Sequence, residues 1–240
     1  MKRFSRLDLF PWLPLAMGLI GIYLRCLLFD AADPDGMLPI GHPADSLCYL
    51  LLAAALALCF FLIWPLSPAE KSTQLFPDSR IAAIGGILGA VGIGCSAFFA
   101  DKNNALFLFV IILGTISAIC LGVAAYLRLH GIHHNCLLHA IPAVYFMVRT
   151  IAFCQKWGTE PQLQLYFFNI LASLFILIAC YYRAELDVRN ESCKKYLFFS
   201  QAALFCCCMC LNGTDWLFYL SAILWLATDR CVLKSAQANS

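Results

Sequence analysis

Long apolar segments recur along the whole chain, and short polar stretches separate them. Each segment is about 20 residues long, which is enough to cross the ~30 Å hydrocarbon core of a bilayer. Apolar and polar residues do not alternate within them, so the pattern predicts membrane-spanning helices and not the strands of a barrel. Eight spans are predicted, at Leu9–Phe29, Ser46–Leu66, Ile81–Ala100, Ala105–Leu127, Cys136–Cys154, Leu163–Tyr182, Lys195–Leu211 and Trp216–Val232.

The last two predicted spans are short, and only the segment from Asn212 to Asp215 joins them. They are expected to form either a tilted pair of spans or a re-entrant hairpin. Both arrangements leave the parity of membrane crossings unchanged.

The composition supports a membrane protein. Of the 240 residues, 62% are hydrophobic and 12% are charged, and the mean hydropathy is +0.80, whereas soluble domains carry about 25% charged residues. We therefore expect an all-α, polytopic transmembrane helical bundle, with residues 1–240 forming one domain in the lipid bilayer. The net charge of +2 is too small to indicate a nucleic-acid partner.

Basic residues predict the orientation, because Lys and Arg accumulate in cytoplasmic segments. If both termini are cytoplasmic, twelve of the sixteen basic residues lie inside, two lie outside and two lie within spans. The inside set is Lys2, Arg3, Arg6, Lys71, Arg80, Arg128, Arg183, Arg189, Lys194, Lys195, Arg230 and Lys234, and the outside pair is Lys102 and Lys156. We therefore predict that the N-terminus and the C-terminus are both cytoplasmic.

Seven of the fourteen acidic residues lie outside in this topology, against two basic residues, so the outer rim is expected to be anionic. The longest outer loop, residues 30–45, contains the turn signals Asp33-Pro34-Asp35-Gly36 and Gly41-His42-Pro43. It is predicted to be an ordered cap on the bundle. The longest inner loop, residues 183–194, mixes both charge signs and is interpreted as a solvated helix extension.

The two basic residues inside spans, Arg25 and Arg149, are the strongest candidates for a functional site, because intramembrane charges are costly. Both lie about 6 to 8 Å from the predicted outer ends of their spans. One interpretation is that each snorkels to the headgroups or pairs with Asp30, Asp45 or Glu160. The other is an outward-facing pocket for an anionic ligand, formed by Arg25, Arg149, His42, Asp45 and Asn169.

A second candidate site is the histidine cluster at the predicted inner surface, which consists of His130, His133, His134 and His139. Its H-x-x-H-H spacing resembles one histidine box of the membrane fatty-acid desaturases and hydroxylases. Those enzymes need about eight histidines for two irons, and this chain has five, so a di-iron centre is excluded. A single metal ion bound to the four histidines is the alternative to solvated interfacial side chains.

Two further patterns are interpreted as packing. In the third span, Gly85-x-x-x-Gly89 and the series Ala82, Gly86, Ala90 and Gly94 permit close helix approach. Most of the fourteen cysteines lie inside spans, where cysteine behaves as a small apolar residue. A disulfide between Cys26 and Cys48 is conceivable, and the run Cys206-Cys207-Cys208-Met209-Cys210 could alternatively hold a soft ion.

Two stretches resemble a group of bacterial multi-spanning membrane proteins to which no activity has been assigned. They are Gly36-Met37-Leu38-Pro39-Ile40-Gly41-His42-Pro43 and Trp157-Gly158-Thr159-Glu160-Pro161-Gln162-Leu163, the latter leading into a span that ends on Tyr182-Arg183-Ala184. The resemblance implies a multi-pass topology in a bacterial inner (plasma) membrane. It implies no catalytic residues.

These patterns favour a non-enzymatic membrane protein without a cofactor. It would be a small permease, or a binder of an anionic solute or lipid headgroup, that uses the outer site. The rival hypothesis is an intramembrane metalloenzyme with its histidine site at the cytoplasmic face. A third hypothesis is an accessory subunit that packs against a partner, and the oligomeric state stays open.

Overall fold

The computed structural model describes residues 12–32, 41–64, 80–100, 104–130, 136–157, 166–189 and 194–231. This part of the chain forms eight helices and no strands. In chain order they are α1 (Trp12–Asp30), α2 (Pro43–Ile63), α3 (Arg80–Phe98), α4 (Phe107–Arg128), α5 (Leu137–Trp157), α6 (Phe167–Arg189), α7 (Lys194–Met209) and α8 (Trp216–Cys231).

Each of the eight predicted spans overlaps one of these helices. Six of them, α1 to α6, are long and apolar enough to cross a membrane, whereas α7 and α8 have 16 residues each. The helical membrane bundle is therefore supported, with six clear candidate spans. The first predicted span begins at Leu9, but residues 9–11 lie outside the described part of the chain.

The structure describes part of the predicted inner loop, residues 183–194, but not the middle of the predicted outer loop, residues 30–45. Helix α6 does not end at Tyr182 but continues to Arg189, so the first half of the predicted inner loop is helical. This extension is packed rather than solvated, since Arg183 and Leu186 are buried. In the predicted outer loop, residues 33–40 lie outside the described residues, so the ordered cap stays a prediction.

Neighbouring helices alternate in direction, which defines two ends of the bundle. Asp215, between α7 and α8, bonds to Arg149 near the end of α5, and Asn212 bonds to Cys26 near the end of α1. We call this the Arg149 end. At the other end, which we call the Arg183 end, His139 near the start of α5 contacts Asp187 near the end of α6.

Helix α7 is the central helix of the bundle, although it is one of the two shortest. It packs against α1, α2, α6 and α8. Tyr196, Leu197 and every residue from Ser200 to Cys210 are buried. The last two helices are therefore not an isolated hairpin, because α7 fills the middle of the bundle and α8 packs mainly on α3.

The prediction that the third span is a packing helix is confirmed. One face of α3 lies against α8, where a Cβ on Gly89 would lie 2.9 Å from the Ser221 carbonyl oxygen. A second face lies against α4, where a Cβ on Gly86 would lie 2.9 Å from the Cβ of Ala125. The absence of side chains at these positions lets both neighbouring backbones approach α3 closely.

Candidate anion-binding cavity

Arg149 lies near the C-terminal end of α5, and its side chain is 2% exposed. Its Nη1 donates to the Tyr145 hydroxyl at 3.0 Å, and its Nη2 donates to Asp215 Oδ1 at 3.2 Å. The guanidinium carbon lies 4.0 Å from the ring centroid of Phe218 and 5.0 Å from that of Phe153. The charge is therefore held between a carboxylate, a hydroxyl and two aromatic rings.

Beside this guanidinium lies a partly enclosed cavity of about 300 Å³. Four parts of the fold surround it: the end of α3, the start of α4, the end of α5 and the connection from α7 to α8. Its lining residues are Phe99, Ala100, Asn104, Phe107, Val110, Arg149, Ala152, Phe153, Thr214 and Asp215. Its wall combines six apolar residues with four polar ones, Asn104, Arg149, Thr214 and Asp215. The volume is at the low end of the range of small-molecule sites.

Local sequence features explain why these groups meet. A Cβ on Gly114 in α4 would lie 3.0 Å from Cε2 of Tyr145, so the glycine leaves room for the ring that supports Arg149. Asp215 directly precedes α8, and its carbonyl accepts from the Phe218 amide at 3.0 Å. Asn104 donates to the Ala152 carbonyl at 3.0 Å, which joins the start of α4 to the end of α5.

The geometry leaves hydrogen-bonding capacity at Arg149. A guanidinium has five N–H donors, and its contacts with Tyr145 and Asp215 use two of them. Its Nε has no hydrogen-bond partner among the described residues. Asp215 makes one bond to the guanidinium, not a bidentate pair, and its side chain is 17% exposed. The guanidinium therefore has N–H groups that its contacts with Tyr145 and Asp215 do not use.

Arg25 lies at the same end of the bundle but does not line this cavity. Its Nη1 donates to the Met209 carbonyl at 3.1 Å, at the C-terminal end of α7. Its guanidinium carbon also lies 5.2 Å from the ring centroid of Phe29 and 5.5 Å from that of Phe168. The ion-pair interpretation is confirmed for Arg149, but its acceptor among the described residues is Asp215 and not Asp30 or Asp45. The third predicted acceptor, Glu160, lies outside the described residues.

The other predicted site residues are also outside the cavity lining. The His42 Nδ1 accepts from the Ala44 amide at 3.3 Å and so caps the start of α2, and Asp45 lies in the first turn of that helix. Asn169 is buried in the first turn of α6, where its carbonyl accepts from Ser173 Oγ at 3.0 Å. Ligand binding by these residues stays a prediction.

Sequence reasoning missed most of the residues that surround Arg149. Asp215 had a recognisable signal, because it is the acidic residue in the four-residue connection between the last two apolar segments. Tyr145 precedes Arg149 by four residues, which places both on one helix face. Asn104 and Phe218 had no comparable signal, since only the packing of distant helices brings them to the site.

The Arg183 end holds the predicted metal site. His139 Nδ1 lies 3.0 Å from Asp187 Oδ2, and the His130 ring packs at 5.0 Å from that of Tyr126. No group of three or more metal-ligating side chains occurs in the described part of the chain. His133 and His134 lie outside it, so the four-histidine site is an untested prediction.

The Arg183 end also buries two cations that the sequence assigned to solvated inner segments. Arg128 is 7% exposed and Arg183 is 6% exposed. The Arg183 guanidinium carbon lies 5.7 Å from the Tyr196 ring centroid. Burial of arginine is therefore a feature of both ends of the bundle.

The cysteines of α7 are packed as expected. Cys206, Cys207, Cys208 and Cys210 are free and buried, and so is Cys48 of α2. Cys26 is also free and accepts from the Asn212 side chain at 2.9 Å. The structure therefore contains no bridge between Cys26 and Cys48.

No protein-family profile, curated protein or solved structure matches the chain. The resemblance to bacterial multi-spanning proteins consequently stays an expectation from two short stretches. The functional argument rests on the cavity itself.

Proposed function

We propose that this membrane protein is a non-enzymatic binder, or small permease, of a solute or lipid headgroup with an acidic group. The ligand's phosphate or carboxylate would bind at Arg149. The observation that carries this proposal is a 98% buried arginine that lines a cavity of about 300 Å³ and whose Nε has no hydrogen-bond partner among the described residues. Charge-assisted bonds to a fork of N–H groups are the usual means of binding an oxyanion.

The surroundings make this arginine a better site than a surface arginine. Phe153 and Phe218 flank the guanidinium and keep water from it, which strengthens its attraction for an anion. The start of α8 lies beside it, and a helix N-terminus adds a partial positive charge. Arg25 lacks the cavity, so the proposal assigns the ligand to Arg149 alone.

The proposal includes an orientation. The Arg149 end would face outward and both termini would lie in the cytoplasm, because basic residues then concentrate on the inner side. The bacterial inner membrane is proposed on the resemblance described above. The ligand would therefore reach the cavity from outside the cell or from the outer leaflet.

The test uses purified protein in a neutral maltoside detergent and two soluble phosphodiesters, glycerophosphoethanolamine and glycerophosphoglycerol. Bound ligand raises the free energy of unfolding by about 2.7 kcal/mol at a hundred times its Kd, so a thermal shift reports binding. We expect at least one probe to stabilise the wild type. The stabilisation should disappear in Arg149→Gln and persist in the matched control Arg25→Gln.

A second variant guards against misfolding of Arg149→Gln, which leaves the half-buried Asp215 carboxylate without its cation. The double substitution Arg149→Gln with Asp215→Asn removes both charges together. If neither probe stabilises the wild type, or if binding survives loss of Arg149, the proposal is wrong. Uptake of the bound probe into proteoliposomes separates a permease from a binder.

A further inference from the structure

We infer that the ligand is a zwitterion, with an ammonium group close to its acidic group in the same small molecule. This inference rests on the proposed function and names the class of ligand. Two charges line the described part of the cavity wall, the Arg149 guanidinium and the Asp215 carboxylate. Because they lie 3.2 Å apart, the site offers a cation and an anion side by side.

Charge balance favours a zwitterion over a simple anion. The Arg149–Asp215 pair is neutral as a unit, and an added anion would bring a second negative charge close to the Asp215 carboxylate. Like charges repel more strongly in a water-poor cavity than in bulk water. A zwitterion adds no net charge. Asp215 would compete with a simple anion for Arg149, but it can bind the ammonium group of a zwitterion.

The walls also suit an ammonium group. Phe99 at the end of α3 and Phe107 at the start of α4 line the cavity. Aromatic faces attract ammonium groups, and the attraction increases when water is excluded. The rings of Phe153 and Phe218 already contact the Arg149 guanidinium. Phe99 is 78% exposed and Phe107 is half-buried, so Phe107 is the aromatic side chain that we assign to the ammonium.

Two sources can supply this chemistry, a free zwitterionic solute or the headgroup of an aminophospholipid. The cavity volume of about 300 Å³ admits a small solute or a headgroup, whereas larger ligands occupy sites up to ~1,000 Å³. Both sources share an oxyanion and an ammonium a few bonds apart. The inference is this shared chemistry, and the experiment separates the sources.

The two phosphodiesters of the binding assay differ in the group that decides the question. Glycerophosphoethanolamine carries an ammonium, and glycerophosphoglycerol carries a hydroxyl in its place. We expect the wild type to bind the ethanolamine ester at least about tenfold more tightly, the gain of one charge-assisted hydrogen bond. Asp215→Asn should reduce this preference to less than about threefold, and Asp215→Glu should restore part of it.

Phe107→Leu provides a variant that leaves both charges in place. It should weaken binding of the ethanolamine ester about threefold more than binding of the glycerol ester, because only the ammonium loses a cation–π contact. Together with Asp215→Glu, it keeps the inference testable if Asp215→Asn fails to fold.

Nanodiscs separate the two sources. If a lipid headgroup is the occupant, nanodiscs of phosphatidylethanolamine should raise the apparent Kd of the soluble ester, and nanodiscs of phosphatidylglycerol should not. If a free solute is the occupant, both lipids should leave the Kd at its value in detergent.

Three results would overturn the inference. They are equal or tighter binding of the glycerol ester, a preference that survives Asp215→Asn, and equal effects of Phe107→Leu on both esters. If the glycerol ester binds equally well and binding needs Arg149, the zwitterion is wrong and the proposed function stands. If neither ester binds, both proposals fail.

Discussion

The buried arginines of this bundle are held by the protein and not by the membrane surface. Arg149 bonds to a carboxylate and a hydroxyl, and Arg25 bonds to the last carbonyl of α7. The carbonyls at the C-terminal end of a helix have no partner within the helix and carry partial negative charge. Arg25 therefore acts as a cap on the central helix.

Substitution of Arg25 should reduce stability. Arg25→Gln removes a charged donor from the Met209 carbonyl, so we expect the free energy of unfolding to fall by about 1 to 3 kcal/mol. Arg25→Lys should lose less, because the cation is retained near the helix end. Thermal and denaturant unfolding in maltoside detergent measure both changes.

The control for Arg25 is Tyr23→Ala, on an exposed position two residues earlier in α1. It should change stability by less than about 0.5 kcal/mol. If Arg25→Gln were as harmless as this control, the contact with α7 would contribute nothing to folding. That result would favour the interpretation that Arg25 snorkels to the headgroups.

At the scale of helices, glycine positions decide how close the elements come. Gly85, Gly89 and Gly92 of α3 face Thr228, Trp225 and Ser221 of α8, and the numbers run in opposite directions because the helices are antiparallel. Side chains at these positions would separate the two backbones. The contact between α3 and α8 consequently depends on residues that contribute no side-chain contact of their own.

Two glycines that differ in their surroundings make a matched test. A Cβ on Gly89 would lie 2.9 Å from backbone atoms of Ser221 and Trp225, whereas a Cβ on Gly122 would lie 4.0 Å from the Ala90 Cβ. Gly89→Ala should destabilise by about 1 to 3 kcal/mol through overpacking. Gly122→Ala should stabilise by about 0.5 to 1 kcal/mol, because alanine restricts the unfolded helix segment.

The measurement is the unfolding midpoint of both variants in the same detergent. Opposite signs would support the close approach of α3 and α8. A stabilising Gly89→Ala would mean that the two helices have room to separate, and the packing described here would be wrong at that contact.

The sequence predicted the elements better than it predicted their environment. Apolar length placed every helix, because the bilayer imposes that length on the chain. It predicted a helix extension after Tyr182, but it did not predict that Arg183 and Leu186 in this extension are buried, since the segment is polar in sequence. It also did not identify α7 as the central helix, because lipid-facing and protein-facing surfaces are both apolar.

The candidate site was predictable only in part, for a related reason. Intramembrane charge singled out Arg149, whose partner Asp215 lies 66 positions away in the chain. Nothing local links those two positions, and the choice among acidic residues depends on which helices are neighbours. Helix periodicity within α5 predicts that Tyr145 lies on the same face as Arg149. The cavity is formed by four parts of the fold, and their packing cannot be predicted from one helix.

For the whole molecule, the even number of helices places both ends of the described chain together. Trp12 begins α1 and Cys231 ends α8 at the Arg183 end, opposite the cavity. Lys194 at the start of α7 donates to the Trp64 carbonyl at 3.1 Å, which brings the end of α2 to the same side. The helix boundaries that carry Arg80, Arg128 and Arg183 therefore belong to one side of the bundle.

This arrangement yields a prediction about membrane orientation. Short loops that are rich in lysine and arginine stay on the cytoplasmic side of the membrane. The basic Arg183 end should therefore be cytoplasmic, and the cavity should face outward. A phosphatase reporter inserted at Lys102 should be active outside the membrane, and the same reporter fused at Ser240 should be inactive. A fluorescent protein fused at Ser240 should fold and fluoresce in the cytoplasm.

The fluorescent protein is the control for the phosphatase. A phosphatase that is inactive at Ser240 is informative only if the fluorescent fusion at the same residue shows that the protein is made and inserted. Phosphatase activity at Ser240 with none at Lys102 would mean that the protein has the opposite orientation and that the cavity faces the cytoplasm. The same compartment for both positions would break the eight-helix topology, because Lys102 and Ser240 are separated by an odd number of helices, α4 to α8. Helices α7 and α8 are too short to be clear spans, but the expected outcome is the same whether the pair crosses or re-enters, because both arrangements have the same parity.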